Sequence, residues 1–246
     1  MAIAVVQSRS AVAASTETNS LAFSSNVTAG NTIIVVASSL YNGSTNLGSM
    51  SVSDSHSTTY QTAQNISFLD TYYGKYLYQA VFFAYNVPAG ATTVTVTAIG
   101  GACCGCGNWS NNTDVFFTIY EVSGLGTTNP LDQKASASKV GNTGTTTGTT
   151  PSITTTSASE IIVTSELLGS GSITPSISTS GYTTNASGLH GSYSDAFTSG
   201  YQIVSSTGSY SVSYANSSSI PAWLNQITSF KASGAAAPNS NFMVFF

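Results

Sequence analysis

The chain has 246 residues, of which 41% are hydrophobic and only 6% are charged. Five Lys and Arg residues against nine Asp and Glu give a net charge of −4, so the chain lacks the basic surface with which proteins bind a phosphate backbone. The composition argues against nucleic acid as a partner and predicts a neutral, hydroxyl-rich surface.

The N-terminus does not have the pattern of a signal peptide. Its apolar run, Ala2 to Val6, is short, and no basic residue precedes it. No stretch approaches the roughly 20 apolar residues of a membrane-spanning helix. We therefore expect no membrane span, and export either by another route or inside an assembled particle.

Short β-type segments separated by Gly, Asn and Ser follow one another along the chain, and none shows the apolar period of a helix. The first predicted strands are Ala2 to Ser8, Ser20 to Ser24, Thr32 to Ser39, Ser49 to Ser53, Thr59 to Ala63, Lys75 to Tyr85 and Thr92 to Ile99. The last two are predicted to pair as a hairpin, because the intervening turn contains Pro88 and Gly90.

The segment Asp114 to Leu125 is predicted to be a central strand. Its odd positions from Val115 to Ile119 and its even positions from Phe116 to Val122 contain apolar residues, so both faces need cover. The later predicted strands are Leu131 to Ala137, Ser152 to Thr155, Glu160 to Leu168, Phe197 to Ser205, Ser209 to Tyr214 and Ala222 to Lys231. About a dozen strands without a helix predict an all-β protein, a β-sandwich or jelly roll.

We predict a single sandwich domain over residues 1–233. Within it, Asn26 to Val36 matches Asn86 to Val96, which indicates either similar turn chemistry or a repeat. Two copies are too few for a solenoid, so similar turn chemistry is favoured. The low-complexity run Gly141 to Pro151 is expected to form an exposed loop or a flat edge strand.

Residues 234–246 are predicted to form a linker and an apolar C-terminal strand. A short uncharged segment of this kind pairs readily with a sheet edge. It would either fold back onto its own sandwich or add to a neighbouring subunit. The predicted assembly residues are Phe242, Met243, Val244, Phe245 and Phe246.

Three cysteines, Cys103, Cys104 and Cys106, lie close together in a Gly-rich segment. With His56 or His190 they would supply four zinc ligands, but the Cys-x2-Cys pairs of common zinc sites are missing. We therefore predict no metal and no cofactor. A structural loop, a disulfide between Cys103 and Cys106 and a bond to a neighbouring chain remain open.

No set of residues predicts a catalytic site. Glu121 and Glu166 lie inside predicted strands, where a structural carboxylate is expected rather than the carboxylate pair of a glycosidase. No Ser lies in a Gly-x-Ser-x-Gly elbow, and His56 is expected in a turn. The residues Asp54, Asp70 and Asp132 are possible calcium ligands without a recognisable calcium-loop spacing.

Aromatic residues provide the clearest indication of a binding site. Tyr72 and Tyr73, in a predicted loop, and Trp109, in the cysteine segment, are candidates for stacking on sugar rings. Tyr76 and Tyr78 lie in a predicted strand, where aromatic side chains usually pack for structural reasons.

Several turn and strand signatures from Gln7 to Ala232 resemble a β-sandwich module that recurs in bacterial secreted proteins and in phage virion proteins. They are EVSGL at 121–125, NPLD at 129–132, TTTSASEIIV at 154–163, QIVSSTGSYSVSY at 202–214, and Trp223 followed by SFKA at 229–232. The resemblance implies binding or assembly and carries no catalytic residue.

We therefore predict a non-enzymatic structural protein of a virion surface, as a phage capsid decoration, head-fibre or tail-surface subunit. Its partners would be copies of itself, other virion proteins and host surface glycans. The alternative is a secreted, extracellular carbohydrate-binding or adhesive module. A glycan hydrolase ranks below both.

Overall fold

The computed structural model describes residues 2–42, 47–100, 113–139, 144–169, 173–193 and 195–234. Over these ranges the protein has 18 strands and no helix, so no helix there is long and apolar enough to cross a membrane. The predicted all-β sandwich is confirmed, but the predicted number of strands was too low. The missed strands are short, like Pro175–Ile177, or irregular, like Thr183–His190, where Gly188 has a φ of 58°.

The first half of the chain forms two sheets. Its strands are β1 (Ala4–Ala13), β2 (Thr18–Ala22), β3 (Thr32–Tyr41), β4 (Leu47–Asp54), β5 (Gln61–Asp70), β6 (Lys75–Ala84), β7 (Thr93–Gly100) and β8 (Thr113–Ser123). The five-stranded sheet has the order β1-β8-β3-β6-β5, and the three-stranded sheet has the order β2-β7-β4. Strand β8 pairs on both sides and is almost wholly buried, which confirms the predicted central strand.

The second half also forms a five-stranded and a three-stranded sheet. Its strands are β9 (Leu131–Lys139), β10 (Thr145–Thr149), β11 (Ile153–Thr154), β12 (Glu160–Leu168), β13 (Pro175–Ile177), β14 (Thr183–His190), β15 (Ala196–Val204), β16 (Ser209–Tyr210), β17 (Ser213–Ile220) and β18 (Trp223–Lys231). The larger sheet has the order β9-β18-β12-β15-β14, and the smaller has the order β10-β17-β13. Strands β11 and β16 form an additional pair. Strand β10 lies at the edge of the smaller sheet. It belongs to the low-complexity run Gly141 to Pro151, for which an exposed loop or an edge strand was predicted.

The two halves share one topology. If the short pair β11 and β16 is set aside, the eight remaining strands of the second half match β1 to β8 in chain order, and both kinds of sheet then have the same strand order. The central strands β3 and β12 even present the same inward-facing pattern, Ile-x-Val-x-Ser-x-Leu. Its residues are Ile34, Val36, Ser38 and Leu40 in β3, and Ile161, Val163, Ser165 and Leu167 in β12.

The predicted hairpin of Lys75–Tyr85 with Thr92–Ile99 does not form. Strand β6 pairs with β3 and β5, whereas β7 pairs with β2 and β4 in the other sheet. The connection between them pairs instead with the loop before β3, because Val27 and Gly90 form a bridge and the Val87 N–H donates to the Asn31 carbonyl (3.0 Å). The two similar Ala-Gly segments are therefore neighbouring crossings between sheets, and their likeness reflects turn chemistry.

The two five-stranded sheets pack face to face around a common hydrophobic core. Aromatic rings from the two halves meet there, with Phe116 stacked on Phe197 (centroids 5.8 Å apart) and Phe83 edge-on to Phe230 (5.2 Å). The three-stranded sheets cover the outer faces and bury two further sets of apolar side chains. The described chain is thus a four-layered sandwich with one core shared by both halves.

A layer of hydrogen-bonded polar side chains crosses the shared core. The Gln79 carboxamide donates to the Leu224 carbonyl (3.2 Å) and accepts from the hydroxyls of Ser38 (3.1 Å) and Ser165 (3.2 Å). Thr118 is likewise hydrogen-bonded to Ser199 across the two sheets (2.6 Å). Because a buried polar group is costly without its partner, these bonds favour one register of the two sheets.

Replacing Phe197 with Ala should lower the free energy of unfolding by about 3–5 kcal/mol, because the buried ring packs against Phe116 of the other half. Chemical denaturation should show one transition for wild type and variant, since both halves share the core. Val6→Ala, at a side chain that is 49% exposed, is the control and should change stability by no more than about 0.5 kcal/mol. Two separate transitions would contradict the single-domain prediction.

Candidate functional site

The turn between β5 and β6 presents two tyrosines to solvent. Tyr72 is 52% exposed and Tyr73 is 42% exposed, and their rings meet edge to face with centroids 4.7 Å apart. The Asp70 carboxylate fixes the turn by accepting the backbone N–H groups of Tyr72 (2.9 Å) and Tyr73 (3.3 Å). The predicted loop position of both tyrosines is confirmed, and together they form an exposed aromatic corner.

Lys75 attaches this turn to the second half of the chain. Its Nζ donates to the carbonyl oxygens of Gly169 (3.0 Å) and Tyr193, and it lies 5.5 Å from the centroid of the Tyr73 ring. Burial lowers the pKa of Lys75, although the carboxyl groups of Asp195, Asp70 and Asp114 oppose this shift. The aromatic corner therefore rests on a contact between the two halves.

The start of β8 contacts loops from both halves of the chain. The Thr113 carbonyl accepts the N–H of Thr16 (2.7 Å), and the next residue, Asp114, binds N–H groups of the loop before β15. Trp109 and the cysteines Cys103, Cys104 and Cys106 lie outside the described residues, as do the tail residues Phe242 to Phe246. Their proposed roles in sugar binding, disulfide formation and assembly stay predictions.

The outer face of the β2-β7-β4 sheet is covered by hydroxyl groups. Val94, Val96 and Ala98 of β7 are buried against the larger sheet, so the residues between them point outward. Strand pairing places them in rows with the outward residues of β2 and β4, and the Ser20 and Thr95 hydroxyls are 2.8 Å apart. This hydroxyl face consists of Thr18, Ser20, Ala22, Ser49, Ser51, Ser53, Thr93, Thr95 and Thr97.

The corresponding sheet of the second half repeats this arrangement. Tyr214 of β17 is buried, while its neighbours Ser213 and Ala215 lie beside Thr149 and Thr147 of β10. The Thr149 and Ser213 hydroxyls are 3.2 Å apart. Both outer faces of the sandwich are therefore uncharged and rich in Ser and Thr.

Half of the charged residues lie inside the protein. The chain has five basic and nine acidic residues. Seven of these charged residues are buried, namely Asp70, Lys75, Asp114, Glu121, Glu160, Glu166 and Asp195. The surface is therefore even less charged than the composition indicates. Sequence analysis missed this distribution because single charged residues within Ser- and Thr-rich strands do not reveal which face they occupy.

Glu121 is a structural carboxylate. Its Oε1 accepts from the Thr28 N–H (2.8 Å) and from Asn31 Nδ2 (2.6 Å), and its Oε2 accepts from Gln7 Nε2 (2.6 Å). These bonds tie β8 to β1 and to the crossing before β3. Glu121 is fully buried, in agreement with the structural carboxylate expected inside this strand.

Glu166 is buried between β12 and the covering sheet of the second half. Among the described residues no donor reaches its oxygens with hydrogen-bonding geometry, and Oε1 lies against the backbone of Gly148. Burial raises the pKa of Glu166 to about 8, although nearby Asn216 favours the ionised form. Glu166 belongs to a different layer from Glu121, so the two residues do not form a carboxylate pair.

The other candidate ligands stabilise turns. Asp54 accepts the N–H groups of His56 (2.9 Å) and Thr58 (3.0 Å), which confirms His56 as a turn residue. Asp132 binds the N–H of Thr156 (2.8 Å) and lies 3.9 Å from Lys231 Nζ. In the described part of the chain, no three His, Cys, Asp or Glu side chains are grouped so that they could hold a metal ion.

No protein-family model matches the chain, and no curated protein matches it.

Glu166→Gln should stabilise the protein by an amount that grows between about pH 4.5 and pH 8. In the wild-type protein Glu166 ionises near its ordinary pKa when the chain is unfolded but at about 8 when it is folded. The free energy of unfolding of the wild-type protein therefore falls across this pH range, on the order of a few kcal/mol in total. Thermal unfolding at several pH values measures the difference, which should be small at pH 4 and largest at pH 8 and above.

Glu121→Gln is the matched control and should be destabilising. All three partners of Glu121 are donors, so an introduced NH₂ group would face another donor. A pH-independent difference between Glu166→Gln and wild type would contradict the assigned protonation of Glu166.

Proposed function

We propose that this chain is a non-enzymatic structural subunit of a virion surface, such as a phage capsid decoration, head fibre or tail surface, that assembles through its flat outer faces. The observation that carries this proposal is the pair of uncharged hydroxyl faces on opposite sides of the sandwich. A protein of this shape can be contacted on both sides at once by neighbouring subunits.

The charge distribution supports close packing between copies. Like-charged surfaces repel one another, but here half of the charged side chains are buried and the hydroxyl faces have none. Hydroxyl groups both donate and accept hydrogen bonds, so Ser and Thr rows on two subunits can pair without a fixed charge pattern.

The resemblance to virion and secreted β-sandwich modules supports the same class of function. Its motifs lie in structural positions: EVSGL ends the central strand β8, and TTTSASEIIV leads into the central strand β12. Both segments support the shared core, as expected for a protein whose role is to present surfaces.

Replacing Ser51 and Ser53 with Arg should abolish self-association or particle attachment and leave the melting temperature nearly unchanged. Both side chains are exposed on the hydroxyl face of strand β4, so the added charges would repel a neighbouring face without entering the core. Light scattering of the purified chain and sedimentation with particles measure the effect.

Ser205→Arg with Thr207→Arg adds the same charge in the exposed turn after β15 and is the matched control. It should assemble like wild type. Normal assembly of the Ser51 and Ser53 variant would exclude this hydroxyl face as a contact surface.

A second candidate function, carbohydrate binding in a secreted or adhesive module, is favoured by the aromatic corner. Tyr72 and Tyr73 expose two rings at an interplanar angle of 85°, so a sugar ring stacked on one lies against the edge of the other. Because Asp70 and Lys75 fix the turn, little ordering of the backbone is needed on binding.

Glycan binding through the aromatic corner should be lost when both tyrosines are replaced with Ala and retained when both are replaced with Phe. The Phe variant keeps the stacking faces and removes only the hydroxyls. Ile203→Ala, which removes another exposed apolar side chain (41% exposed), should bind like wild type on a glycan array. Equal binding by the Tyr→Ala variant would reject this function.

A further inference from the structure

Two fully buried carboxyl groups meet where the halves of the chain join beneath the aromatic corner. Asp114 is the second residue of β8, and Asp195 immediately precedes β15. Asp114 Oδ2 and Asp195 Oδ1 lie 2.2 and 2.5 Å from the point that a Cβ on Gly191 would occupy. The two oxygens therefore lie close together beside Gly191, where a larger residue would not fit.

The hydrogen-bond donors around these two groups are distributed unequally. Asp114 accepts three backbone N–H groups, from Ser15 (2.6 Å), Ser192 (2.6 Å) and Tyr193 (3.3 Å). No donor in the described ranges reaches either oxygen of Asp195. Three N–H donors stabilise a carboxylate, whereas a buried carboxylate without any donor is strongly disfavoured.

We propose that Asp195 is protonated and donates a hydrogen bond to Asp114 Oδ2, so that the two side chains form a latch between the halves. In this arrangement Asp114 accepts four hydrogen bonds, three from backbone N–H groups and one from the Asp195 carboxyl group. The latch goes beyond the proposed assembly function, since it concerns the stability of the end that carries Tyr72 and Tyr73.

The surrounding charged groups are consistent with this assignment. Lys75 on β6 gives its hydrogen bonds to the carbonyl oxygens of Gly169 and Tyr193, and the Asp70 carboxylate on β5 binds the tyrosine turn. His190, at the end of β14, is exposed. Burial and the adjacent Asp114 raise the pKa of Asp195 to about 8, and Lys75 opposes this shift without cancelling it.

Ionisation of Asp195 opens the latch. Above pH 8 the two adjoining carboxylates repel each other inside the protein, and the loop before β15 separates from β8. That loop includes Tyr193, whose carbonyl oxygen holds Lys75 under the aromatic corner. Because the folded pKa lies above the ordinary value of 3.8, the stabilising contribution is complete at low pH and is lost as pH rises through 8.

Hydrogen exchange of the intact chain tests the latch, with Asp195→Asn as the comparison. The Asn side chain keeps an N–H donor toward Asp114 and cannot ionise. At pH 6 the segment 190–197 should exchange equally in both proteins, whereas above pH 8 wild type should exchange several-fold faster. Equal exchange at every pH would overturn the proposal.

Infrared spectroscopy tests the proton itself and does not require a folded Asp195 variant. In the Glu166→Gln protein at pH 7, one C=O band of a buried protonated carboxyl group should remain, and it should disappear as pH rises through 8. Absence of this band at pH 7 would overturn the proposal.

Discussion

The face-to-face packing of the two five-stranded sheets is the interaction on which the rest of the structure depends. Each sheet supplies one wall of a core that neither half encloses alone, and the central strands β3 and β12 contribute the same four inward side chains to it. The outer three-stranded sheets, the aromatic corner and the buried carboxyl pair are all positioned by this packing. Loss of the common core would remove the geometry of every site described above.

Polar groups in that core complement the apolar ones. Apolar contacts stabilise the packing of the two sheets but allow small shifts of one sheet relative to the other. The hydrogen bonds of Gln79 with Ser38 and Ser165, in contrast, require one alignment of the two sheets. The surface has few charged side chains, and most of its polar groups are Ser and Thr hydroxyls. Specific polar contacts thus lie inside this protein, while its outer faces present mainly uncharged hydroxyl groups.

Much of the fold, but little of its pairing, could be predicted from the sequence. The apolar faces of Asp114 to Leu125 identified the central strand because period-2 patterns report burial directly. The same pattern in Thr92 to Ile99 identified a strand but could not reveal that it pairs with β2 and β4 in the other sheet. The repeated topology was visible in principle, since Ile-x-Val-x-Ser-x-Leu occurs in both β3 and β12, but four alternating positions are a weak signal among many similar strands.

Tyr72 and Tyr73 could be recognised from their turn, whereas Asp114 and Asp195 could not be paired, since only the tertiary structure brings them together.

The duplicated topology gives Lys75 and Asp195 equivalent places. Leu77 lies opposite Leu40 in β3 and Phe197 lies opposite Leu167 in β12, and Lys75 and Asp195 each precede these residues by two positions. One half therefore supplies an amine and the other a carboxyl group at corresponding points of a buried junction. Two copies of the first half would bring two amines together there, and two copies of the second would bring two acids together. The two halves therefore carry complementary groups at this position, an amine in one and a carboxyl group in the other.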